Sequence, residues 1–171
     1  MLGITIPKRP HNFEVIDNLV SRSAMPTSER NIKWLKNHGI TDVINLRTSG
    51  SLYHGGRERE ACEKYGMNYH HIPTDVKHPS EKQVGQFLDI IDGVGQKGGK
   101  VHIHCRLGAD RTGMYSWIYK QTHGIGTLQE NEAEMRKMGH DSLALPGLIN
   151  WVKDYLFKDW GGRPHGYEEY V

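Results

Sequence analysis

Short apolar runs alternate with longer segments whose apolar positions recur every three or four residues. FEVIDNLVSRSA (13–24) reads as two short strands around Asp17-Asn18, a hairpin. Pro26-Thr27-Ser28 breaks the pattern, and a helix is expected over Glu29–His38, stopped by Gly39. TDVINL (41–46) is a short strand; a loop with Gly50, Gly55 and Gly56 follows, then a polar helix from about Arg57 to Tyr65. Met67–Ile72 is the next strand. After the loop Pro73–Pro79, Ser80 with Gln83 three residues on has the form of a capping box. Beyond it Val84, Phe87, Leu88 and Ile91 make a core-facing helical stripe. Lys100–His104 is a strand with Val101 and Ile103 on one face. Three more helices are expected: near Thr112 to about His123, from the Thr127-x-x-Glu130 box to about Met138, and after Pro146. Trp34, Trp117 and Trp151 sit at helical positions and are assigned to the core.

This alternation predicts one α/β domain, with a mostly parallel sheet of four or five strands and helices on both faces. The core spans about residues 13–158, and the polar tail 159–171 is expected to be loose or laid over the surface. In such sheets ligands bind at the carboxyl ends of the strands, which singles out the loop after Lys100–His104.

Composition narrows the function classes. The chain has 171 residues, 36% hydrophobic and 25% charged, with no internal repeat. No run approaches the roughly 20 apolar residues of a membrane span. A net charge of +2 gives no broad basic face for nucleic acid. The start MLGITIPKRPHNF lacks the apolar region of a secretory signal, so a cytoplasmic, reducing location is expected. Two cysteines are too few for a disulfide scaffold. Cys62, in a polar helix, is read as passive; the alternative is a redox partner that traps oxidised Cys105.

The loop reads His104-Cys105-Arg106-Leu107-Gly108-Ala109-Asp110-Arg111-Thr112-Gly113. Five residues between a strand end and a helix start can curl so that successive N–H groups point inward, a nest for a phosphate dianion. Gly108 permits the tight path. Arg111 can close the ring with a bidentate fork. The same positive field favours the thiolate of Cys105, the nucleophile. Thr112 is placed to hydrogen-bond the sulfur. Asp110 is either a base or a brace for the loop. The leaving oxygen needs a proton, and Asp75, in a loop that also follows a strand, is the candidate acid. His102 and His104 share one strand face with His70, His71 and His78 nearby; orienting and rim roles fit them better than a metal site.

His-Cys-x5-Arg-Thr-Gly resembles the signature loop of the protein tyrosine phosphatase superfamily. Asp75, 30 residues upstream, resembles the general acid of its small dual-specificity-like members, and Leu19–Leu46 resembles the entry to such domains. The resemblance implies a dual-specificity-phosphatase-like fold and a cysteinyl-phosphate mechanism without metal or cofactor. On this chain it implies Cys105 as nucleophile, Arg111 with Arg106–Asp110 as phosphate binders, Asp75 as acid, Thr112 as the loop hydroxyl and His104 as the residue tuning the thiolate. The Trp-Pro-Asp triplet of the larger tyrosine phosphatases is absent.

Two substrate classes remain. A phosphorylated protein, phosphotyrosine first, is favoured slightly. The stretch Thr74-Asp75-x3-Pro79-Ser80 and Asn45-Leu46-Arg47 with its Gly-rich sequel also resemble the phytase-like branch, which acts on inositol polyphosphates. Arg47, His54, Arg57, Arg59, Lys77 and Arg106 are candidates for a basic rim around the pocket. A non-catalytic phosphate-binding module is the rival from another class. The joint presence of Cys105, Arg111 and Asp75 speaks against it.

Overall fold

The computed structural model describes residues 6–48 and 55–158. The chain runs β1 (Glu14–Val15), β2 (Val20–Ala24), α1 (Glu29–Asn37), β3 (Asp42–Asn45), α2 (Gly55–Lys64), β4 (Asn68–His71), α3 (Glu81–Gln96), β5 (Val101–Cys105), α4 (Asp110–Thr122), α5 (Leu128–Lys137) and α6 (Leu148–Phe157). The sheet has five strands in the order β1-β2-β5-β3-β4; β1 pairs antiparallel with β2, and the other pairings are parallel. The loops after β2, β3, β4 and β5 therefore all open on one edge. The loop residues 49–54, with His54, and the tail 159–171 lie outside the described residues.

The expected hairpin forms, and Asp17 Oδ1 accepts from the N–H groups of Leu19 and Val20 to close its turn. Helix α2 begins at Gly55, two residues before the position expected from Arg57. Ser80 caps α3 by accepting from the Gln83 N–H, but Gln83 does not complete the box. Its Nε2 donates instead to the Pro73 carbonyl at 2.8 Å, tying α3 to the loop after β4. The Thr127–Glu130 box forms in both directions.

Each sheet face is covered, so the strands are buried on both sides. On one face Val101, Ile103 and Cys105 pack with Val84, Phe87 and Ile91 of α3, Trp117 and Ile118 of α4, Met135 of α5 and Val152 of α6. On the other, Val43 packs with Ile32 and Leu35 of α1 and Cys62 of α2. Helix α4 is buried almost all round, from Thr112 to Tyr119, as a helix enclosed by neighbours must be. Trp117 is core as expected, whereas Trp34 and Trp151 are only partly buried.

Candidate active site

Cys105 closes β5 and is 4% exposed. The chain then turns through Arg106–Ala109, and α4 opens at Asp110, two residues earlier than the sequence pattern suggests. The turn depends on Gly108, whose φ is +77°; a Cβ there would lie 2.8 Å from backbone atoms of Ser23 and Ala24. The loop thus rests directly on the backbone of β2, a position only glycine fills without strain. Three successive loop carbonyls are held from behind. Arg106 O accepts from the Met25 N–H (3.2 Å), Leu107 O from Asn12 Nδ2 (3.3 Å) and Gly108 O from Arg22 Nη2 (2.7 Å).

A cavity of about 110 Å³ opens at this loop, lined by Val76, Cys105, Arg106, Leu107, Asp110 and Arg111. Larger clefts exist, including one of about 480 Å³ between the N-terminus of α1 and helix α2. The small cavity is nevertheless the candidate active site, because it joins a thiol, two guanidinium side chains and a helix N-terminus.

His104 is fully buried beside Cys105. Its Nδ1 lies 3.3 Å from Cys105 O, and its Nε2 lies 2.6 Å from Glu58 Oε1, an ion-pair approach without good hydrogen-bond alignment. Asn45 Nδ2 donates to the other Glu58 oxygen at 3.3 Å. His104 is legible in the sequence and Glu58 is not, because a carboxylate on a polar helix carries no mark of burial until α2 is docked. His102 lies between the Ser21 and Ser23 hydroxyls, 2.9 and 2.7 Å from its ring nitrogens. Burial pushes its pKa well below the ordinary histidine value. Among the described residues no group of three or more His, Cys, Asp or Glu side chains is arranged to hold a metal ion.

Thr112 is fully buried, yet its hydroxyl has no partner among the described residues, so the expected bond to the sulfur is not made in this state. Asp110 lines the cavity and also braces the loop: its Oδ1 accepts from His140 Nδ1 (2.7 Å) and the Asp141 N–H (3.1 Å). Cys62 belongs to the apolar cluster on the opposite sheet face from Cys105. Burial, with Glu58 and Glu63, pushes its thiol up to about 12.

Asp75 lies on the correct edge but turns outward. Its side chain is 57% exposed, accepts from the Lys77 N–H at 2.9 Å and lies 3.0 Å from His78 Nδ1. His78 first, then the Lys77 amide, holds this carboxyl below the usual aspartate value. Its neighbour Val76 faces the cavity instead. Of the expected rim, Arg47 is buried with its guanidinium on the Met25 sulfur, Arg57 lines the 480 Å³ cleft, Arg59 lies over the Tyr69 ring and Lys77 lines a different groove with Trp151. None of these four lines the cavity at Cys105, whereas Arg106 of the expected rim does.

A strand-ending cysteine, a glycine-dependent amide loop and an arginine in the first turn of a buried helix define the cysteine-dependent phosphatases of the protein tyrosine phosphatase superfamily. Residues 20–124 match the family model described as Tc-R-P, polymorphic toxin system, DSP-PTPase phosphatase, and the chain belongs to this family. It is 32% identical over 109 residues to the mouse dual specificity protein phosphatase CDC14B, covering 63% of this chain and 21% of that one. It is 30% identical over 122 residues to the human dual specificity protein phosphatase CDC14C, covering 71% and 24%. The chain thus spans about a quarter or less of these relatives. A putative phosphatase (DUF442) from Shewanella putrefaciens superposes with a TM-score of 0.71 at 25% identity, over 85% of this chain and 89% of that one.

Proposed function

We propose that the protein hydrolyses phosphate monoesters through a cysteinyl-phosphate, with phosphotyrosine-containing protein as the favoured substrate. The carrying observation is the cavity itself. Cys105 lines it, Arg106 and Arg111 supply charge, and the apolar side chains of Val76 and Leu107 suit an aryl ring.

In the mechanism the phosphate sits in the loop Arg106–Asp110, held by amides and the Arg111 fork. Cys105 Sγ attacks phosphorus in line, a P–S bond forms and the P–O ester bond breaks. Asp75 gives its proton to the leaving oxygen. For this it must leave His78 and the Lys77 N–H and turn toward the cavity, a movement of the loop 73–79 that substrate binding drives. Water then attacks phosphorus, Asp75 takes its proton, and the sulfur departs with the Thr112 hydroxyl as its hydrogen-bond donor. Asp110 serves instead as a brace, because its Oδ1 already accepts from His140 and the Asp141 amide and ties the loop to the segment after α5. His104, oriented by Glu58, tunes the sulfur environment.

The inositol polyphosphate reading is favoured by one observation. An open cleft of about 440 Å³ lined by Lys8, Arg9 and His11 adjoins the loop through Asn12 and Met25. Release of phosphate from a phosphotyrosine peptide and from inositol hexakisphosphate separates the two. Higher kcat/KM on the peptide is expected, and turnover of the inositol phosphate alone overturns the phosphoprotein assignment.

A further inference from the structure

Arg22 is a buried guanidinium that the phosphatase mechanism above does not use. It lies in the middle of β2, its side chain is 1% exposed, and it reaches two groups: Gly108 O at 2.7 Å and Glu134 Oε1 on α5 at 3.3 Å. Its Nε has no partner among the described residues. An apolar side chain would avoid the cost of burying this charge, so stability alone does not account for an arginine here. The second unused group is Asn12. It is the non-glycine residue with a positive φ, 53°, among those described, and its amide spans 95 positions of sequence to reach Leu107 O. Strain of that kind persists where surrounding structure imposes it.

Both side chains act on the same feature. In a trans peptide the carbonyl and the following N–H point in opposite directions. Tying Leu107 O to Asn12 therefore turns the Gly108 N–H the other way, and tying Gly108 O to Arg22 turns the Ala109 N–H the other way. The Met25 amide does the same for Leu107 through Arg106 O. Among the described residues no backbone N–H from Arg106 to Arg111 finds a backbone acceptor, and no side chain caps α4. The loop's donors are thus left for an external anion, and the carbonyls that would repel it are held away.

We infer that Arg22 and Asn12 are positioning residues for the phosphate site: they hold the loop carbonyls outward so that consecutive amides face the substrate's phosphoryl oxygens. This rests on the phosphatase reading, and it adds a pair of residues that never touch substrate yet set its affinity. Glu134 pairs with Arg22 from behind and is itself held by Lys120 through its other oxygen.

The test uses p-nitrophenyl phosphate as substrate and inorganic phosphate as competitive inhibitor, on the full chain. Asn12→Gly keeps the backbone conformation and removes only the amide; KM and the phosphate inhibition constant should both rise about three- to tenfold. Arg22→Met combined with Glu134→Gln removes the guanidinium without stranding a carboxylate; roughly tenfold or larger rises are expected. Arg22→Lys should recover only part, since an ammonium lacks the fork that spans both partners. Glu134→Gln alone, which leaves the Arg22 bond to Gly108 O in place, should raise the inhibition constant by less than the double variant does; an equal rise would place the effect in Glu134 and overturn the role given to Arg22. If Asn12→Gly changes Tm but not phosphate affinity, the inference fails, whatever the fate of the Arg22 variants. If the wild-type chain neither turns over the substrate nor binds phosphate, it is the phosphatase reading that fails.

Discussion

Replacing Gly108 by alanine tests how the loop is supported. Two costs arise at once. An L-residue in the left-handed region costs about 1–2 kcal/mol. The added methyl would also sit 2.8 Å from backbone atoms of Ser23 and Ala24, well inside the 3.4 Å at which ordinary contact begins. Those atoms belong to a β2 strand locked in register against β5, so β2 does not yield, and overpacking of this kind costs about 1–3 kcal/mol. The sum is about 2–5 kcal/mol if the loop stays in place. Lifting the loop by about half an ångström relieves part of it and breaks the Gly108 O bond to Arg22. Misplacement on the ångström scale costs about 100-fold in rate. The assay is kcat/KM on an aryl phosphate beside a thermal melt, with Gly124→Ala as control. Gly124 also has a positive φ, +66°, but open space where its Cβ would go, so it carries the strain without the collision. Gly108→Ala should lower kcat/KM by about 100-fold or more, whereas Gly124→Ala should cost about 1–2 kcal/mol of stability and leave activity unchanged. A Gly108→Ala enzyme within threefold of wild type would refute the reasoning.

Cys105→Ser should abolish turnover, by at least about 1,000-fold in kcat, while the melt stays within a few degrees; retained activity ends the cysteinyl-phosphate mechanism. His78→Ala removes the main group holding the Asp75 carboxyl below its usual value, so the alkaline limb of the kcat/KM profile should move to higher pH, and an unmoved limb argues against Asp75 as the acid. His102 is neutral in the folded protein and takes up a proton near pH 6.5 when unfolded. Its folded pKa is depressed, so its contribution is full above that pH and is lost as the pH falls below it, at up to about 1.4 kcal/mol per pH unit. Denaturation midpoints between pH 7 and 5 should show this slope, and His102→Asn should flatten it.

Much of the site was legible because its residues are contiguous. His104 through Gly113 forms one strand–loop–helix unit, so Cys105, Arg111 and the amide loop follow from local order alone. The hairpin at Asp17-Asn18 and the Thr127–Glu130 box were legible for the same reason: their bonds close within a few residues. Gln83 shows the limit. Its spacing from Ser80 satisfies a capping box, yet a carbonyl from the loop after β4 offers its side chain a different partner. The start of α4 shows another, since its all-round burial erases the apolar periodicity by which a helix is read.

Fold class, element order and the candidate loop were all readable in the sequence, because these depend on periodicity and on neighbours along the chain. Tertiary packing decided which distant side chains serve that loop. Arg22, Asn12, Glu58 and His140 come from 30 to 95 positions away and look like ordinary surface polar residues when read in line. It also dispersed the expected basic rim: Arg47, Arg57, Arg59 and Lys77 share a sign of charge but not a direction, and direction is set by the strands and helices that carry them. Charge is a property of a residue; the field at a site is a property of the arrangement.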